Sequence, residues 1–376
     1  MNETILSNAR LVLDDDVVLG TLVARDGRIA AIDTTPSAAG RDLGGDLLIP
    51  GVVDVHTDNL ERQVQPRQNA RWPSRSAMIA HDAQCAVAGV TTVLDALCLG
   101  DLGFDTDRMQ TFREGVADLD ALGGTGLLRC DHFLHLRCEL PAADMLAMLD
   151  PVADHPLVRM VSLMDHSPGV GQYADLDRYR ALRRKDGLAD AEVERRITDI
   201  VALRDRLREP NRRALLARVA HRGVALASHD DRTREEIAEN AADGIRISEF
   251  PVSMEAAVAA RAAGMRVIAG APNIVRGGSH SGNVAAADLL RAGVVDAFAS
   301  DYVPAALIEA AFLAAGLGVL TLARAVAMIT SVPASMAGLA DRGVLAVGRR
   351  ADLVRLRVHE GLPIVREVWR AGERIA

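Results

Sequence analysis

The sequence predicts an α/β protein: a (β/α)8 TIM-like barrel with a small β-rich domain formed from both termini. Three observations carry this expectation. The middle of the chain, about 50–340, alternates short apolar runs with helical patterns, the signature of strand–helix units and a parallel sheet. Eight such runs can be counted. Both ends of the chain read instead as short strands joined by turns.

The eight runs are 47–56, 91–97, 127–138, 158–164, 223–228, 245–249, 266–270 and 295–300. Most are apolar throughout rather than alternating, as expected for strands covered on both faces. Helical patterns lie between most of them, such as Ala77–Ala88 and Glu255–Ala263, the latter stopped by Gly264. Eight units point to closure, with the chemistry on the loops that follow each strand. At the N-terminus Leu11–Leu13, Val17–Leu19 and Thr21–Ala24 precede an Asp26-Gly27 hairpin signal and Ile29–Ile32. Ala351–Leu356, a turn at Gly361-Leu362-Pro363 and Ile364–Trp369 repeat that texture at the other end. The expected division is 1–48 with 343–376 for the small domain and 49–342 for the barrel. Residues 173–222 are too many for an ordinary connection, with 14 basic and 9 acidic side chains in a helical pattern interrupted at Gly187 and Pro210. This insertion is either a solvated pair of helices or a basic lid near the active-site mouth.

A length of 376 residues suits one large barrel plus a satellite. The hydrophobic fraction is 49% but only 3% is aromatic, so the core must be mostly Ala, Val, Leu and Ile. A net charge of −8 argues against a nucleic-acid or anionic-membrane partner and leaves homo-oligomerisation open. Cys85, Cys98, Cys130 and Cys138 form no C-x-x-C pair, which removes a zinc knuckle or redox motif. Met1-Asn2-Glu3-Thr4 begins no signal pattern, so a reducing cytoplasm is the expected location. The apolar stretch 305–329 is broken by Glu309, Gly316, Gly318 and Arg324 and reads as buried helices rather than a membrane span.

Polar residues fall just past the apolar runs. Val52–Val55 ends in His56-Thr57-Asp58, Met160–Met164 in Asp165-His166, Val224–Ser228 in His229-Asp230-Asp231, and Val295–Ser300 in Asp301. A lone histidine in such a place is ordinarily a satisfied core residue. Four similar endings converge on one ring at the barrel top and suit a nitrogen/oxygen metal site. His56 and Asp58 are two apart on a strand, so both side chains point the same way and can reach one ion. On the same parity His135, Arg137 and Glu139 share one face of their strand, opposite Leu134, Leu136 and Cys138. Such a face in a barrel interior is costly without a metal or a polyanionic substrate; otherwise it looks into solvent. His81, His155, His221 and His359 stand in helical, loop or terminal contexts, and His132 has the opposite parity from Glu139, so none is expected to be a ligand.

Gly51–Asp58, preceded by Ile49-Pro50, resembles the first barrel strand of the amidohydrolase superfamily, and Gly348–Val354 resembles that superfamily's return to its small β-domain. More specifically, His56–Glu61, His81–Gln84, Gly89–Ala96, His135–Leu140 and Met164–Gly169 resemble the PhnM branch, the alpha-D-ribose 1-methylphosphonate 5-triphosphate diphosphatases. Ser228–Asp231, Gly270–Asn273, Arg276–Asn283 and Ser300–Pro304 continue the likeness, which runs from about residue 5 to the end.

The resemblance implies hydrolysis of a small-molecule ribosyl triphosphate at its α-phosphorus, releasing pyrophosphate. It implies one or two divalent ions (Zn, Mn or Mg) held by His56, Asp58, Glu139, His166, His229 and Asp301, with Asp301 also orienting water and taking its proton. H-x-D stands where most of the superfamily has H-x-H, a harder ligand pair that favours Mn or Mg. Many relatives bridge two metals with a carboxylated lysine. The single lysine here, Lys185, lies in the polar segment Arg183–Gly187, which leaves Glu139 as the expected bridge. Arg276 with Gly277, Gly278, Ser279 and His280 makes an anion cradle. Asn59, Arg67, Arg137 and Asn273 are further expected substrate contacts, and Arg62, Arg71 and Arg75 extend the same first loop. The competing readings are a cyclic-amide hydrolase or deaminase of the same fold, and a non-catalytic barrel acting as a partner in a lyase complex. A neutral ring needs no such arginine cradle, and a non-catalytic barrel needs no ligand set.

Overall fold

The computed structural model describes residues 3–67, 70–103, 106–279 and 281–376. The N-terminus supplies β1 (Glu3–Val12), β2 (Val17–Arg25), β3 (Arg28–Asp33), β4 (Arg41–Asp42) and β5 (Leu47–Pro50). The expected turn between β2 and β3 is present, with Asp26 and Gly27 both at positive φ (48° and 81°), the geometry that favours Asp-Gly in a two-residue hairpin. Eight strands follow: β6 (Val52–Thr57), β7 (Val90–Leu99), β8 (Asp131–Glu139), β9 (Val158–Met164), β10 (Ala225–His229), β11 (Ile247–Glu249), β12 (Arg266–Gly270) and β13 (Ala297–Ala299). The chain then returns through β14 (Leu353–His359), β15 (Leu362–Arg370) and β16 (Glu373–Arg374) to the first sheet, in the order β16-β15-β14-β5-β1-β2-β3.

All eight expected barrel runs carry a strand. The first, however, is two strands in different sheets: β5 pairs with β14, and β6 opens the barrel. Gly51 is the crossing point. A Cβ there would come within 2.3 Å of the Thr91 hydroxyl and 2.7 Å of the Asp352 Cβ, so only glycine lets the two sheets approach. An unbroken apolar sequence hides such a crossing, because both strands are buried.

β6 to β13 are parallel and lie in sequential order. The seam between first and last closes at a Thr57–Asp301 bridge: the Asp58 amide donates to the Asp301 carbonyl at 2.8 Å, and the Asp301 amide to the His56 carbonyl at 3.0 Å. Val53, Val55, Leu94, Met160, Ile247 and Ile268 fill the interior below the site. Leu134, Leu136 and Cys138 pack outward against the helices, as their parity requires. The helices Ala306–Gly316 and Leu322–Ala327 occupy the apolar stretch, and no helix among the described residues is long and apolar enough to cross a membrane. The four cysteines are buried and free.

The insertion forms helices Leu176–Lys185 and Asp190–Val219, broken at Gly187 (φ 90°). Pro210 does not interrupt the second helix, contrary to expectation. The lost backbone bond is offset by packing just beyond it. Asn211 donates to the Leu140 and Ala142 carbonyls at 2.7 and 3.0 Å, and Arg212 reaches Asp243 at 2.6 Å.

Candidate active site

At the C-terminal mouth of the barrel lies a cavity of about 350 Å³. Its floor is built by strand ends. His56 is fully buried; its Nδ1 lies 2.8 Å from Glu249 Oε1, while its Nε2 has no hydrogen-bond partner. His229 is held the same way, with Nδ1 2.8 Å from Glu249 Oε2. One carboxylate therefore fixes both rings through Nδ1 and leaves each Nε2 to another partner. Burial disfavours the His56 cation, but the Glu249 charge outweighs it and raises the ring's pKa; at His229 burial prevails and lowers it. Phe250 stands edge-on to both rings, at 4.9 and 5.6 Å.

Asp58 sits at the N-cap of helix Asn59–Val64 without capping it, so its carboxylate is left to lie beside Asp301 and to pair with Arg137 at 3.5 Å. His56, Asp58 and Asp301 bring ligand atoms within 4.8 Å of one another. Burial, together with the charge of Asp58, pushes Asp301 up to about 7. Two facing carboxylates and an orphaned imidazole nitrogen are the arrangement a divalent cation relieves, so these residues fit a metal. A second group, His166, His229 and Asp230, also lies within 4.8 Å and shares the cavity. Asp230, Phe250 and Asp301 all have positive φ (56°, 54° and 57°), the first two directly after β10 and β11 and the third two residues past β13. Such strain, rare for a phenylalanine, clusters at functional sites.

Glu139 lies beside His166, with Oε1 accepting the His166 amide at 2.8 Å and Oε2 2.6 Å from its Nδ1. Each oxygen thus meets His166, whose ring the carboxylate orients. His135, on the same face, is also interior: it bonds the Val55 carbonyl and Ser162, and burial pushes it down to about 3. Asn59 turns away from the cavity to His81 and Gln84, at 2.9 and 3.0 Å. Arg67 is exposed and outside the cavity lining, while Arg71 and Arg75 pair with Glu114 and Asp118 and Arg62 caps the Tyr302 carbonyl. Spacing could not tell which side of this loop faces the mouth. Arg137, Arg276 and Ser279 do line the cavity. Asn273 lines it too, but its amide is spent on the Val284 carbonyl and the Ala286 amide, shaping the loop. His280 lies outside the described residues.

Two residues passed over by sequence reasoning stand at the centre. Glu249 ends an apolar run in a charge, as the other ligands do, and that ending was the signal. Asp230 follows His229 directly. The insertion contributes Tyr173 and Arg183 to the cavity wall, beside Gln172 just before it, which favours a lid over a solvated pair. Arg178 of the same helix packs on Gly282, whose absent Cβ would meet it at 2.3 Å. Lys185 is exposed at a helix end, far from the strand-end position of a bridging lysine.

A model of the amidohydrolase family matches residues 188–376. The alpha-D-ribose 1-methylphosphonate 5-triphosphate diphosphatase of Escherichia coli K12 is 42% identical over 99% of this chain and 100% of its own. The chain belongs to the amidohydrolase family. Solved structures agree on the fold: dihydropyrimidinase from Brevibacillus agri superposes with a TM-score of 0.64 at 14% identity, covering 99% of this chain and 95% of that one. N-acetylglucosamine-6-phosphate deacetylase from Pasteurella multocida gives 0.62 at 13%, covering 99% of each. Like others of its family, this hydrolase has clustered His and Asp side chains suited to divalent metal.

Proposed function

We propose that this chain hydrolyses alpha-D-ribose 1-methylphosphonate 5-triphosphate at its α-phosphorus, giving 5-phospho-alpha-D-ribose 1-methylphosphonate and pyrophosphate. The observation that carries this is the 42% identity along the whole length of a relative named for that activity. The cavity supports it: carboxylates and imidazoles form the floor, and Arg108, Arg137, Arg183 and Arg276 stand around it. A cyclic-amide substrate would offer no charge for Arg276 to meet at the cavity wall.

Residues His56, Asp58 and Asp301 would hold a divalent ion, with His166 and His229 facing the same space. Bound there, such an ion lowers the pKa of water toward neutrality and neutralises phosphoryl charge. Asp301 orients the attacking water and accepts its proton. Arg276 and Ser279 receive the pyrophosphate end through charge-assisted and neutral hydrogen bonds. Glu249 and Glu139 keep the imidazoles in the tautomer that presents Nε2. The insertion, through Tyr173 and Arg183, shields the site from bulk water.

Phosphorus NMR of the purified protein with the ribosyl triphosphate tests the reading, with pyrophosphate as the expected product. Carried out in oxygen-18 water, the reaction should label the ribosyl monophosphate. Label only in pyrophosphate or free phosphate would refute attack at the α-phosphorus, and no turnover with any divalent metal would refute the activity.

A further inference from the structure

We infer that Arg137 touches the transferring phosphoryl group and stabilises the charge that spreads over its oxygens during cleavage. The inference rests on the proposed diphosphatase activity and adds a catalytic residue to it. Arg137 lies on β8 between His135 and Glu139, on the strand face that looks into the barrel, with Cys98 of β7 and Ser162 of β9 beside it in register. Its side chain is only 7% exposed and lines the cavity. Neither Nε nor Nη1 has a hydrogen-bond partner; Nη1 meets Asp58 Oδ2 at 3.5 Å, an ion pair longer than a hydrogen bond. A guanidinium cannot escape burial by losing its proton, so a buried one with so loose a partner is costly until an anion supplies acceptors. Its charge also acts on His56, His166, His229 and Asp301, which sets it over the candidate ligands rather than at the rim.

The other cavity arginines are placed differently. Arg108 pairs with Glu61 at 2.9 Å, Arg183 lies over the Tyr173 and Tyr179 rings at 5.8 and 5.0 Å, and Arg276 is exposed. Arg137 is the most buried of the four. In the cleavage, a water oxygen bonds to the α-phosphorus as the bond from that phosphorus to the bridging oxygen breaks. Pyrophosphate leaves with the electron pair, and Asp301 takes the water proton. Donors already fixed beside the reacting phosphorus stabilise the charge on its remaining oxygens without reorganising, and a planar guanidinium can meet two of them at once. Arg276, at the rim, stays with the pyrophosphate end.

The test compares wild type, Arg137→Ala and Arg137→Lys by phosphorus NMR and steady-state kinetics, with metal content and thermal melts checked for each. In Arg137→Ala kcat should fall at least about 10³-fold, the lower end for an arginine that stabilises phosphoryl transfer, and KM should change far less. Guanidinium chloride below denaturing concentration should restore part of that kcat, while sodium chloride at the same concentration should not. An arginine that only supports the fold gives no such rescue. Arg137→Lys keeps the charge beside Asp58 but not the planar fork; its kcat should fall about 10²-fold, the scale for losing one preorganised donor, and it decides the matter where the alanine variant fails to fold. Wild-type kcat in either folded variant, a change confined to KM, or no rescue in a folded, metal-loaded Arg137→Ala overturns the inference and leaves the proposed activity standing. Wild type that releases no pyrophosphate with any divalent metal removes that activity itself.

Discussion

The amide of Asp301 donates to the carbonyl of His56 at 3.0 Å, so the hydrogen bond that closes the barrel also joins two candidate metal ligands. Asp58 completes the closure by donating its own amide to the Asp301 carbonyl at 2.8 Å. Residues 245 positions apart are thereby held at one point by main-chain geometry, before any side chain contributes. The local strain is visible at Asp301, whose φ is 57°.

Glu249 orients two imidazoles at once, and its removal should therefore weaken both ligand groups. Glu249→Gln leaves an amide that cannot carry the charge balancing His56 and His229. Metal affinity should fall about 10–100-fold, as for other outer-shell partners of metal-bound histidine. Competition with a chromogenic chelator measures it. Unchanged affinity would show that barrel packing alone fixes the rings.

The second cluster, behind the barrel wall, should govern stability. His132 lies fully buried between Asp95 at 2.8 Å and Asp82 at 3.3 Å; burial opposes its charge, but Asp95 and Asp82 push its pKa from the ordinary 6.5 to about 10. His132→Gln should cost about 3–5 kcal/mol, the scale for breaking a buried ion pair from one side. The sign of the pH dependence follows from the raised pKa. The histidine's contribution is complete below 6.5 and is lost as pH rises through 10, so the variant's deficit should shrink across that window. Thermal melts of both proteins from pH 6 to 10 check this, and a constant deficit would contradict it.

These two clusters show what the sequence could and could not reveal. The barrel was legible because parallel strands covered on both faces leave apolar runs, and the ring of His and Asp was legible because each run ends at the same level. Context and parity kept His81 and His132 out of the expected ligand set, but their partnership with Asp95 links three elements that no spacing connects. Glu249 escaped for the same reason: its role depends on His56, 193 positions away. Asn59 and Arg67 were misplaced because helix Asn59–Val64 follows Asp58 at once, and the direction of its first turn is set by packing against His81.

Arg276 separates binding from chemistry. It is exposed at the rim, lines the cavity and has no ion-pair partner among the described residues. If it holds the pyrophosphate end equally in the ground and transition states, Arg276→Ala should raise KM about 10-fold and change kcat little. Steady-state kinetics decide this, and an equal fall in kcat and kcat/KM would instead place Arg276 on the transition state.

Asp301 should show the opposite split. Its carboxylate lies beside Asp58 and is pushed up to about 7 by burial and that neighbouring charge, close to the basicity a proton acceptor needs at neutral pH. Asp301→Asn keeps an oxygen for coordination but loses the base. We expect kcat to fall by roughly 10²–10⁴, the usual scale for losing a general base, with KM near the wild-type value and metal content verified in each preparation. Activity close to wild type would move the proton acceptor elsewhere. Glu139 and His229 line the same cavity and are the first candidates, the Glu249 contact at His229 Nδ1 leaving Nε2 as the basic nitrogen. Asp230, with its unpaired oxygen in the same cavity, would then be the group to replace next.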